Sequence, residues 1–124
     1  MGLAGSVTPV SRRFRQGRLE DSAGAPAEGE RFALLAELPG VTIEQILSGR
    51  LPEAVSFDQD HDEWVVVIEG GARLVVDGAG VELGPGDWLL LPAGCPHTVV
   101  ETQPGTSWLA VHAAPGNSGS LASL

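Results

Sequence analysis

Gly86-Asp87-Trp88-Leu89-Leu90-Leu91-Pro92-Ala93-Gly94-Cys95-Pro96-His97 is the stretch that decides the fold. A glycine opens a short apolar run, a Pro-x-Gly turn closes it, and a histidine starts the next run. An apolar run that short, with turn residues on both sides, has the length of a strand. The rigid turn then delivers the His97 imidazole at the head of a second strand. Upstream, Glu63 heads another apolar run, Trp64-Val65-Val66-Val67-Ile68. Two strands that bring a carboxylate and an imidazole together are how an all-β protein builds a small metal or ligand site.

The same alternation of apolar runs and turns extends outward in both directions. Phe32 to Leu38 reads as a strand or a short helical turn. Val41, Ile43, Gln45 and Leu47 alternate as one face of a strand. Gly70-Gly71 reads as a hairpin turn between Trp64–Ile68 and Ala72–Val76. Asp77-Gly78-Ala79-Gly80 turns into Val81–Leu83, and Gly84-Pro85-Gly86 turns into Trp88–Leu91. Thr98–Thr102 and Ser107–His112 complete the series. With 17 glycines and 9 prolines in 124 residues, turns are frequent, and no stretch of the core keeps a helical period. The pattern predicts an all-β sandwich or barrel over residues 31–113. Residues 1–30, rich in Gly, Ala, Ser, Pro and charge, read as a poorly ordered N-terminal arm, and residues 114–124 as a flexible tail.

Charge narrows the partners. The formal net charge is −9, and all seven basic residues are arginines. Four of them (Arg12, Arg13, Arg15 and Arg18) lie in the arm. A body this acidic excludes nucleic acid, whose binding needs cations to displace counterions. No apolar run reaches the length of a membrane span, so no membrane partner is expected. The single cysteine, Cys95, cannot form an internal disulfide and reads as a small turn residue. A reducing cytoplasm is the expected location.

Two spacings carry a family resemblance. Glu63, six residues and Gly70 resemble the second half of the first cupin motif. Gly86, five residues, Pro92-Ala93-Gly94, two residues and His97 resemble the second motif. The resemblance covers residues 32–113. It implies the cupin double-stranded β-helix, a jelly-roll barrel with a small-molecule site inside. It also implies a homodimer, with the arm crossing to a second subunit. The chain departs from the pattern at Glu101, where cupins usually carry asparagine. It also lacks the histidine pair that precedes the glutamate in metal-binding cupins. Those positions fall on Phe57 and Gln59 with one spacer, or on Ser56 and Asp58 with another.

The resemblance therefore carries over two ligands, Glu63 and His97. In an unbroken strand Gln59, His61 and Glu63 would face inward together. A bend before Glu63 would leave His61 on the rim. The candidate metal set is Glu63 and His97 with His61 or Gln59. One divalent transition metal (Zn, Mn, Fe or Ni) and no metal at all both stay open. The candidate ligand pocket is Gln59, Glu63, His97 and His112. His112 either lines the barrel with Trp108 and Ala110 or caps the edge. Asp58-Gln59-Asp60-His61-Asp62 imitates a calcium loop but has Glu63 where that loop needs glycine. The aspartates read instead as a solvated acidic loop. Arg73 reads as outward-facing, with binding of an acidic ligand as the alternative. The expected function is binding of a small molecule by a bacterial cupin of unassigned activity, with a degenerate metal site. The alternative is a metal-dependent enzyme of dioxygenase, isomerase or decarboxylase type, acting on a small organic acid or sugar derivative.

Overall fold

Short runs rich in valine and leucine become strands throughout the computed structural model, which describes residues 14–115. These are β1 (Glu30–Leu38), β2 (Val41–Ser48), β3 (Val55–Phe57), β4 (Asp62–Glu69), β5 (Ala72–Val76), β6 (Ala79–Leu83), β7 (Trp88–Leu91), β8 (His97–Thr102) and β9 (Thr106–Ala113). They form two antiparallel sheets, one ordered β1-β2-β9-β4-β7 and the other β3-β8-β5-β6. This is the jelly roll that the cupin resemblance implied. Among the described residues, no helix is long and apolar enough to cross a membrane.

The core lies between the sheets. Ile46, Val65, Val67, Leu91, Trp108 and Ala110 enter it from the five-stranded sheet, and Ala72, Leu74, Leu83 and Val99 from the other. Burying each large side chain here contributes roughly 1.5–3 kcal/mol relative to leaving it in water. Phe32 to Leu38 is strand, paired along β2.

Three sequence readings change. Gly70-Gly71 is not a hairpin turn: β4 pairs with β7 and β9, and β5 pairs with β6 and β8. The chain crosses from one sheet to the other there. Gly70 has a positive φ of 90°, and a Cβ on it would lie 2.4 Å from Thr106 Oγ1. Asp77-Gly78 alone makes the next turn, and Ala79 and Gly80 join β6. A further strand, β3, pairs Phe57 with His97.

The expected arm divides at the edge of the described residues. Residues 1–13 lie outside them, as do residues 116–124 of the tail. Residues 14–30 lie along the chain's own five-stranded sheet. The buried Gln45 amide accepts from the Glu20 N–H (2.8 Å) and donates to the Glu20 carbonyl (3.0 Å) and to Ser107 Oγ (3.0 Å). Arg31 pairs with Glu20 at 2.6 Å. Gly29 N–H donates to the Arg50 carbonyl, and Arg50 N–H donates to that of Ala27. A segment that satisfies its backbone this way is part of the fold.

Candidate ligand cavity

The turn before β8 aims His97. Pro92-Ala93-Gly94 reverses the chain, with Gly94 at φ 78°, a conformation that favours glycine. Three bonds hold the turn: Ala93 N–H to Asp62 Oδ1 (2.8 Å), Gly94 N–H to the Gln59 carbonyl (2.8 Å), and Cys95 N–H to the Pro92 carbonyl (3.1 Å). His97 Nδ1 lies 3.2 Å from the Cys95 carbonyl. A carbonyl only accepts, so Nδ1 carries the proton, and a neutral His97 presents a bare Nε2 on its other side. Phe57 stacks on the imidazole, with ring centroids 5.2 Å apart.

Glu63 comes from the opposite sheet. It sits on β4 between Leu91 of β7 and His112 of β9, and only 8% of it is exposed. Its Oε1 is 4.0 Å from His97 Nε2, and its Oε2 is 3.9 Å from His112 Nε2. Both distances exceed a hydrogen bond. Burial pushes the Glu63 carboxyl above its ordinary value. The imidazoles of His112, His97 and His61 oppose that shift, and Glu44 adds to it.

His112 lines the same space. Its Nε2 donates to Glu44 Oε2 at 2.8 Å. Its Nδ1, 2.9 Å from His61 Nε2, then accepts from that ring. The chain bends between β3 and β4, so Gln59, His61 and Glu63 do not share one strand face. His61 is not among the cavity-lining residues. It stands behind His112, 3.5 Å from the exposed Asp60 carboxylate. Gln59 does line the cavity.

Together Gln59, Glu63, His97 and His112 line a cavity of about 110 Å³ between the sheets. Its remaining walls are mostly apolar: Phe57, Val65, Leu74, Leu91, Val99 and Trp108. Two further carboxylates, Glu30 and Glu44, also reach it. The sequence reading missed both. It read Val41, Ile43, Gln45 and Leu47 as one face of a strand and gave Glu44 no place. The inward face is Glu44, Ile46 and Ser48, and residues 14–30 cover the other one. Both faces of β2 carry apolar residues, so alternation alone could not choose between them.

The two positions that carry histidines in metal-binding cupins carry none here. Among the described residues, no three His, Cys, Asp or Glu side chains are gathered as a metal site requires. Phe57, at one missing histidine position, stacks on His97 instead of donating to a metal. The other position offers only the neutral amide of Gln59. Asp62, expected in a solvated acidic loop, is 5% exposed and holds the turn that aims His97. Arg73 faces outward and pairs with Glu101.

Comparison with known proteins bears on the family and the fold. The cupin domain family model matches residues 46–112. The chain belongs to the cupin family. It is 38% identical to the crystal structure of a candidate mannose-6-phosphate isomerase from Ralstonia eutropha JMP134. That match covers 79% of this chain and 99% of the other, with a TM-score of 0.67. KdgF from a Halomonas species is 18% identical over 68% of this chain and 80% of its own, with a TM-score of 0.60. A cupin superfamily protein from Desulfitobacterium hafniense DCB-2 is 19% identical over 81% and 94%, with a TM-score of 0.62. The last two likenesses concern the fold alone. No curated protein matches the chain.

Proposed function

We propose that this cupin binds a small organic molecule in the barrel cavity and holds no metal tightly. The observation that carries this reading is the cavity itself: apolar walls with one polar end made by Glu63, His97, His112 and Gln59. Ligand pockets combine apolar enclosure with a few convergent polar groups in this way. The enclosed volume is small. An apolar cavity of about 150 Å³ holds benzene, so about 110 Å³ suits a fragment of a few non-hydrogen atoms. A larger ligand would extend past the half-exposed Phe32 at the lining's edge.

The name of the Ralstonia relative suggests a sugar phosphate. The cavity-lining residues here include no lysine or arginine and three glutamates. A phosphate would enter without a cation to meet it, at a cost in desolvation and repulsion. We therefore read the ligand as uncharged or cationic, and the setting as a reducing cytoplasm in keeping with the lone Cys95.

Metal analysis of protein purified without chelator tests the reading. The expected result is far less than one transition metal per chain, and a melting temperature unmoved by added Zn, Mn, Fe or Ni. A stoichiometric metal that is lost in His97→Ala would overturn it in favour of a metal-dependent enzyme.

We also propose a homodimer. On β4 and β7 the residues turned away from the core include Trp64, Ile68, Trp88 and Leu90. Trp88 is 59% exposed, Ile68 42% and Leu90 40%. Residues 14–30 shield the β2 end of the same face but leave this end bare. A bare apolar patch of this kind suits a second copy of the chain.

A further inference from the structure

We propose that the cavity selects a primary amine: a small organic cation whose ammonium sits between Glu63 and the imidazoles while its short apolar body fills the barrel. This rests on the cavity reading above and names the ligand class.

Charge is the first argument. Three carboxylates reach the cavity (Glu30, Glu44 and Glu63), against two imidazoles (His97 and His112) and no lysine or arginine. With all three carboxylates ionised and both imidazoles protonated, the lining keeps one negative charge in excess. His97 Nδ1 is already committed to the Cys95 carbonyl, and His112 Nε2 to Glu44. Neither ring gives Glu63 a hydrogen bond.

Glu63 is the second argument. It is 8% exposed and faces the cavity, and its carboxylate stands 4.0 and 3.9 Å from the nearest ring nitrogens. No hydrogen bond to this carboxylate is present among the described residues, so its oxygens are open to a donor in the cavity. Burial favours its protonated form. An entering ammonium replaces that proton with a fixed countercharge. A nitrogen about 2.8 Å from both Glu63 Oε1 and His97 Nε2 fits a gap of this width. It would donate to the carboxylate and to the bare imidazole nitrogen at once, which suits a group with three N–H bonds and no acceptor.

The walls are the third argument. Phe57 and Trp108 line the cavity, and aromatic faces attract ammonium groups through their quadrupoles. The Trp108 indole N–H is held by Ser48 Oγ (3.0 Å), and that hydroxyl donates to Glu30 (2.7 Å). The indole is therefore a built-in reporter on the acidic lining.

The test uses the full chain labelled with nitrogen-15 and titrated with n-butylamine, 1-butanol and butyrate at pH 7. The three tryptophans supply three indole N–H signals. Trp108 reports the cavity, while Trp64 and Trp88 report the outer sheet face. The expected result is saturable movement of the Trp108 signal with n-butylamine. Affinity for 1-butanol should be at least about tenfold lower, the scale of a charge-assisted hydrogen bond. Butyrate should be weaker still. Glu63→Gln should weaken the amine about tenfold and lower its preference over 1-butanol by the same factor. Unmoved Trp64 and Trp88 signals will verify that this variant is folded. Equal affinity for amine and alcohol would overturn the amine assignment and keep the cavity as a binding site. No Trp108 response to any probe would overturn both.

Discussion

Burial holds the Glu63 carboxyl above its ordinary value of 4.5, because the folded chain takes its negative charge out of water. Between 4.5 and the higher folded value, the folded state keeps a proton that the unfolded chain has lost. Stability therefore falls as pH rises through that window, and the loss persists at neutral pH. Glu63→Gln removes the buried charge while keeping the shape. The variant is expected to melt higher than the parent at pH 7, and the gain should shrink to nothing towards pH 4. Thermal melts across that range check the sign. A variant that melts lower at pH 7 would mean that Glu63 is stabilised by its imidazole neighbours. Residues that carry the chemistry at this scale were legible when they head strands beside turn residues, as Glu63 and His97 do. Glu44 was hidden in a strand whose two faces look alike.

The Pro92-Ala93-Gly94 turn shows how elements position the site. Its fit to the cupin spacing is visible in sequence, but what holds it is not. Asp62 Oδ1 accepts from Ala93 N–H, and the Gln59 carbonyl accepts from Gly94 N–H. Asp62→Ala would leave the Ala93 N–H without its partner, at a cost of about 1–3 kcal/mol. Urea denaturation should register that loss. The same variant should weaken n-butylamine at Trp108, because the loosened turn no longer fixes the direction of His97. A neutral effect on both readouts would remove Asp62 from the account of the turn. Gly70-Gly71 teaches the complementary lesson. Paired glycines mark a reversal, but they do not say whether the next strand pairs with the last one or crosses to another sheet. Thr106, brought in from far along the chain, packs against the crossing and accepts from Gly71 N–H at 3.1 Å.

Among the described residues, β4 and β7 leave an apolar area uncovered. The Trp64 and Trp88 rings lie 6.2 Å apart on the outer face of the five-stranded sheet, beside Ile68 and Leu90. If two copies bury this patch against each other, Trp88→Glu places two charges in a desolvated interface. Sedimentation is expected to give a dimer for the parent chain and a monomer for the variant, with the fold intact by circular dichroism. A parent chain that sediments as a monomer at micromolar concentration would end the dimer proposal. The acidic balance of the chain works against association through its charged surfaces.

Local patterns in the sequence were enough to determine the class of fold and two of the groups that meet in the cavity. Strand-length apolar runs and fixed turn spacings are encoded by neighbouring residues, and the jelly roll was implied by the cupin resemblance those spacings carry. Tertiary structure alone decided which face of β2 looks inward, that His61 stands behind His112, and that Phe57 stacks on His97. It also tied residues 14–30 to the sheet. Each of those outcomes depends on contacts between segments far apart in the chain, where burial energy rather than local preference selects the arrangement.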